Sequence, residues 1–260
     1  MSVHSHIHYK IPSQFSIQHV ALLRPFNWLF KGGQDLFRYP KASLAHGLIV
    51  TGIFLTALIL TSSHVYVLAA IISGFMLVGP IMAAGLCEIS RQTEKDEAVS
   101  FDNSLNGLSR NQSALLRFSS MLLGISVLWF VVSALVLMAT VGNVAPALDQ
   151  SLWGNFFNIV TPMQLMLYLV VGGLLATIVY VLSVVSVPAI IDSPIHALDA
   201  VFISIKVVAM NIPTMLVWAT LIVLLTGIGI ASLLIGMIVI YPLLGHASWH
   251  AYRDLVKSSS

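Results

Sequence analysis

The sequence predicts an all-α membrane protein, a bundle of six transmembrane helices preceded by an N-terminal interfacial amphipathic helix. Three observations lead there. Of 260 residues, 58% are hydrophobic and 8% charged, against roughly 25% charged in a soluble domain, so lipid must solvate most of the surface. Six apolar stretches approach the ~20 residues a helix needs to cross ~30 Å of hydrocarbon. All twelve Lys and Arg residues fall in segments that six crossings place on one side.

Residues 1–43 read as a cytoplasmic segment. Met1–Gln18 is polar, carries His4, His6 and His8, and lacks the apolar region of a cleavable signal, so insertion is expected to start at the first span. The stretch Pro25–Pro40 is aromatic and basic but too short and polar to span. It reads as a helix lying in the inner interface, with Trp28, Phe30 and Phe37 as anchors and Lys31 and Arg38 at headgroup level. The Gly32-Gly33 pair keeps an irregular lead-in open as the alternative.

Residues 44–245 form the expected transmembrane domain. The spans are Leu44–Thr61, His64–Leu86, Phe118–Thr140, Met163–Val187, Val207–Thr226 and Ile228–Leu244. The last two are expected to meet in a tight hairpin near Gly227 and Gly229. Basic residues precede span one (Lys10, Arg24, Lys31, Arg38, Lys41) and lie between spans two and three (Arg91, Lys95, Arg110, Arg117). The remainder are Lys206 between spans four and five, and Arg253 and Lys257 after span six. The Thr61–His64 turn, the Val141–Pro162 loop and the Gly227 turn carry none. Positive charge stays inside, so both termini are expected in the cytoplasm, with 246–260 as a C-terminal tail. The single cysteine, Cys87, excludes an intramolecular disulfide. Gly74, Gly79, Gly85, Gly172, Gly173 and Gly236 inside spans read as close-packing positions.

Between spans two and three, Glu88–Arg117 holds five of the ten acidic residues and a short surface helix expected over Ser100–Gly107. Ser104 and Asn111 precede span three at the spacing with which Ser204 and Asn211 precede span five. That echo hints at an internal duplication; chance recurrence of common residues accounts for it equally well.

No Asp, Glu, Lys or Arg lies near the middle of a span, which argues against an ion-coupled pump or transporter. A net charge of +2 with no basic stripe argues against nucleic acid. The densest polar cluster is the ending Tyr241–Lys257. On one helix, His246, Trp249, His250 and Arg253 share a face. His246 and His250, one turn apart, could grip a metal, with His46 and Cys87 as further candidates, but two ligands are not a site. The preferred reading is an interfacial belt: Trp249 and Tyr252 at headgroup level, Arg253 meeting phosphates, and no cofactor. Asp192, Ser193, His196 and Asp199 hold acid–base residue types but no glycine-framed nucleophile; they read as a helix N-cap.

Several pieces carry a family likeness: the Arg24–Tyr39 lead-in, Leu77-Val78-Gly79-Pro80 with Gly85, and Glu88-Ile89-Ser90-Arg91. Val187-Pro188 with Asp192, Asn211 with Trp218, and the Gly245–Arg253 ending complete it. Together they resemble an uncharacterised bacterial family of integral membrane proteins, a domain of unknown function, some members of which are labelled as a cytochrome c oxidase subunit. The resemblance covers almost the whole chain and its ending is specific. It implies the membrane fold, a bacterial inner membrane and a respiratory setting, and brings no catalytic residues. The chain is not the catalytic oxidase subunit, lacking the buried histidines for haem and copper. The leading expectation is a non-enzymatic accessory or assembly subunit of a membrane complex, such as a terminal oxidase, with membrane lipids as its other partners. The alternative is a permease or channel for a small neutral or lipid-like solute. A third reading is a membrane enzyme working at the inner headgroup plane through His246, His250 and Arg253.

Overall fold

Proline, asparagine and left-handed turns divide this apolar chain into helices. A computed structural model describes residues 15–61, 82–141 and 162–258. Strand β1 (Phe15–Ile17) leads to α1 (Arg24–Arg38), with Pro25 in its first turn, where a missing N–H costs no hydrogen bond. After Tyr39, α2 runs Pro40–Thr61. Residues 82–94 form α3, followed by the short α4 (Phe101–Ser104) and α5 (Asn106–Arg110), and then by α6 (Gln112–Val141). The surface helix expected over Ser100–Gly107 is thus two short helices, and Ser100 caps the first by accepting the Asn103 N–H. Next come α7 (Pro162–Ser183), α8 (Ser186–Asp192), α9 (Ala197–Met210), α10 (Ile212–Ala231), α11 (Met237–Leu255) and β2 (Val256–Ser258).

Among the described residues, four stretches are long and apolar enough to cross a membrane: Pro40–Leu60, Gln112–Val132, Val170–Asp192 and Ile212–Ala231. They correspond to the expected spans one, three, four and five. Span two lies mostly outside the described residues, only its end falling in α3. The fourth stretch is broken between α7 and α8, because Pro188 has no N–H to give Val184.

Span five starts later than hydropathy places it. Asn211 ends α9; its side chain accepts the Val20 N–H (3.1 Å) and donates to the Gln18 carbonyl (3.1 Å). A helix carried through would lose that grip on the N-terminal strand. Asn111 does the same before α6, donating to the Ile195 carbonyl at 2.8 Å. The echoed asparagines therefore share one task, ending a helix and tying a distant segment to the start of a span.

The expected sixth span is divided. Gly227 and Gly229 stay helical, and the hairpin falls at residues 232–236, where Leu233 and Leu234 adopt positive φ of 55° and 67°. Ser232 Oγ closes the turn, donating to Gly229 O and accepting the Gly236 N–H, both at 2.8 Å. Gly229 lets Met237 pack against its backbone. From there α11 returns without interruption to Leu255.

At the opposite end of α11 the first and last described segments meet. β1 and β2 pair antiparallel, Phe15 opposite Ser258 and Ile17 opposite Val256. Below them lies a core of Trp28, Trp218, Trp249, Tyr252, Ile190, Ile203 and Leu255, all essentially fully buried. Trp28 meets Trp218 edge to face, with centroids 5.7 Å apart.

Candidate functional site

The polar residues of interest gather where α1, α2 and α3 surround the second half of α11. Missing side chains allow the approach. A Cβ on Gly32 would lie 2.7 Å from the Ala247 nitrogen and 2.9 Å from the Leu243 oxygen, so α1 and α11 touch backbone to backbone. Gly47 of α2 lies as tightly on Ile238, and Gly245 meets the side chain of Leu86. With the axes this close, side chains one turn on from each contact interlock.

A hydrogen-bonded chain results. Ser43 Oγ lies 2.9 Å from His246 Nε2, and His246 Nδ1 lies 2.8 Å from Ser90 Oγ. Ser90 donates to Asp35 Oδ2 at 2.6 Å, and the same oxygen accepts from His250 Nε2 at 2.8 Å. Proton counting fixes the directions. The one hydroxyl proton of Ser90 goes to the carboxylate, so His246 must donate from Nδ1, leaving Nε2 to accept from Ser43. His246 is therefore the neutral Nδ1–H tautomer. Burial pushes its pKa down to about 4, against the opposing pull of Asp35. Burial works to raise the pKa of Asp35, but the hydrogen bonds from His250 and Ser90 outweigh it and hold the carboxyl below its usual range. The sequence Ser43–His246–Ser90–Asp35 has the order nucleophile, base, orienting acid, with one serine interposed. Ser43 and His246 are, however, 0% exposed. Chemically, the chain cross-links four helices.

A charged layer lies beside it. Glu88, 0% exposed, accepts two guanidinium forks, from Arg91 (2.8 and 2.8 Å) and Arg110 (2.7 and 2.9 Å), plus Gln92 Nε2 at 3.0 Å. Burial works to raise its pKa, and the hydrogen bonds from Arg91 and Arg110 outweigh it and hold the carboxyl below its ordinary value. Arg91 also reaches Glu97. His46 bonds Ser104 Oγ at 2.9 Å, its ring lying over Gly85, where a Cβ would collide with it; its Nδ1 is buried without a partner among the described residues.

The seven residues expected as lipid or interface anchors divide. Phe37 is 82% exposed, and Lys31 and Arg38 are also exposed. Trp28, Trp249 and Tyr252 are each 1% exposed and turn inward. Their polar atoms find protein partners instead of headgroups: Trp28 Nε1 donates to Asp254, Trp249 Nε1 to Glu94, and the Tyr252 hydroxyl to Asp192. Arg253 forks onto Glu94, with contacts of 2.7–3.1 Å. The belt is thus replaced at these positions by an internal seam, because α1 and α3 cover the α11 face that the sequence left open.

Both ring nitrogens of His246 are engaged, and His250 gives Nε2 to Asp35. Among the described residues, no three His, Cys, Asp or Glu side chains gather as a metal set. Cys87 donates to the Gly245 carbonyl, 3.8 Å away. Asp199 holds the His196 N–H at 3.0 Å, the cap expected at the start of α9.

Sequence reasoning missed Asp35, Ser43, Ser90 and the Glu88 forks. Glu88-Ile89-Ser90-Arg91 stood out only as a family likeness, and Asp35 only as part of the aromatic lead-in. An acid, a serine and a histidine on separate helices have no common spacing to read.

Residues 67–192 match a family described as a predicted integral membrane protein (DUF2189). The match covers α3 to α8, including Ser90 and the Glu88 forks, and supports an uncharacterised membrane domain. No curated protein and no solved structure matches the chain.

Proposed function

We propose that the chain is a non-catalytic accessory or assembly subunit of a membrane complex, a respiratory terminal oxidase of a bacterial inner membrane being the complex expected. One observation carries this reading. Most polar groups at the α1–α11 seam bond to one another, while the apolar helices face outward: only 22–44% of each spanning window is buried within the chain. A protein built this way acts through its lateral surface rather than through a reactive pocket.

Six crossings with cytoplasmic termini belong to the same proposal. The hairpin at 232–236 returns α11 to the end where β1 and β2 pair. The part of α11 before Gly245, Met237–Leu244, lies within the expected sixth crossing, and the polar part that follows packs against α1 and α3. The expected second crossing, His64–Leu86, lies mostly outside the described residues.

Purification of the untagged chain from native membranes in mild detergent, followed by native gel electrophoresis with haem staining, tests the role. Co-migration with a haem-containing complex is the expected result. A chain that migrates alone and makes proteoliposomes permeable to small neutral solutes would instead be the permease.

A further inference from the structure

The outer face of α1 carries a groove that neither the seam nor the crossings require. Leu29, Phe30, Gly33, Gln34, Phe37 and Arg38 line it together with Asp35, and it is a shallow, largely open groove of about 740 Å³. On a helix these positions form the ridges 29–33–37 and 30–34–38. Gly33 cuts a notch in the first ridge between Leu29 and Phe37. We propose that this groove binds the headgroup of an ethanolamine phospholipid, with the ammonium on Asp35 and the phosphate on Arg38.

Charge and reach commit the groove to that occupant. Both hydrogen bonds to Asp35 fall on Oδ2; among the described residues Oδ1 accepts none, and the residue lines the groove. A carboxylate with one oxygen free of hydrogen bonds on a groove wall calls for a cation with N–H donors. Arg38 is exposed at the rim, stacked 5.6 Å from the Tyr39 ring, with no carboxylate partner among the described residues. Positions three apart on a helix are neighbours on its surface, so one short headgroup meets both residues. A choline headgroup has no N–H to give Oδ1, and a glycerol headgroup has no cation at all.

Depth agrees as well. The spanning window of α2 begins at Pro40, two positions after Arg38, so the groove lies at headgroup level. Phe30 and Phe37, 66% and 82% exposed, are placed to follow the acyl chains.

The test is native mass spectrometry of the full chain in mild detergent, titrated with phosphatidylethanolamine, phosphatidylcholine and phosphatidylglycerol of matched acyl chains. The ethanolamine lipid should be retained at least about tenfold more strongly than the others, the margin of one charge-assisted contact. Gly33→Leu fills the notch, and the fold has room for it: a Cβ at this position meets only Leu243 Cδ1, at 3.9 Å. It should abolish the preference at an unchanged melting temperature. Should it lower that temperature, the exposed Arg38→Gln decides, with the same loss expected. Equal retention of the three lipids, or a preference that survives the deciding variant, would overturn the proposal. So would a Gly33→Leu chain that changes its oligomeric state while keeping the lipid, since the groove would then be occupied by a second copy.

Discussion

Consider Glu88→Gln, a change of one oxygen to an amide nitrogen with no change of volume. The native carboxylate is 0% exposed and accepts five N–H groups between 2.7 and 3.0 Å, four of them from Arg91 and Arg110. The amide keeps one acceptor and turns two donors of its own toward the guanidinium forks. The arginines fare differently. The side chain of Arg110 is 36% exposed and water can take up its lost bonds, but that of Arg91 is 2% exposed and keeps only Glu97, itself 44% exposed. The cost is therefore that of a buried guanidinium stripped of its main counter-charge, about 3–5 kcal/mol. At roughly 2–4 °C per kcal/mol for a chain of this size, the melting temperature in detergent should fall by about 10 °C. Differential scanning fluorimetry on the buried tryptophans reads it. Removing both charges in Glu88→Leu/Arg91→Met should cost less than removing Glu88 alone, since no buried charge is left unpaired. A Glu88→Gln loss below about 1 kcal/mol, or a double variant worse than the single, would show that the forks are not the clamp described here.

Three further outcomes follow from the same geometry. His246 has an unfolded pKa near 6.5 and a folded one of about 4, so between these values the unfolded chain binds the extra proton. Stability is thus full above about pH 6.5 and falls by about 2 kcal/mol toward pH 5; a melting-temperature profile as steep in His246→Gln as in the native chain would assign the loss to other groups. Gly32→Leu drives a Cβ onto the Ala247 backbone, and overpacking of this kind costs about 1–3 kcal/mol or more. Tryptophan emission should shift to the red as Trp28 leaves Trp218, in contrast to Gly33→Leu next door, and an unshifted spectrum would deny the close α1–α11 contact. Chemical labelling should find Lys95, Lys206 and Lys257 on one side of the membrane and cysteines placed at 149 and 153 on the other, positions outside the described residues; labelling of all five from one side would remove the six-crossing topology.

Membrane residence and the apolar helices near spans one, three, four and five were legible in the sequence, because hydropathy is summed over about 20 neighbouring residues and needs no fold to evaluate. The cap at Asp199 and the short helices after Ser100 were legible for the same local reason. The C-terminal cluster was visible as residues but not as a site: His246 and His250 stood out as a pair, while their partners Ser43, Ser90 and Asp35 come from three other helices. Hydropathy alone placed Trp28, Trp249 and Tyr252 at the lipid interface, since amphipathic rings suit a headgroup layer as well as a protein seam. The choice between those two environments is made by Gly32, Gly47 and Gly245, which let α1, α2 and α3 close on α11. Local sequence fixes what each segment can tolerate as a solvent, lipid or water; only the packing of distant segments decides whether a polar side chain meets that solvent or another residue.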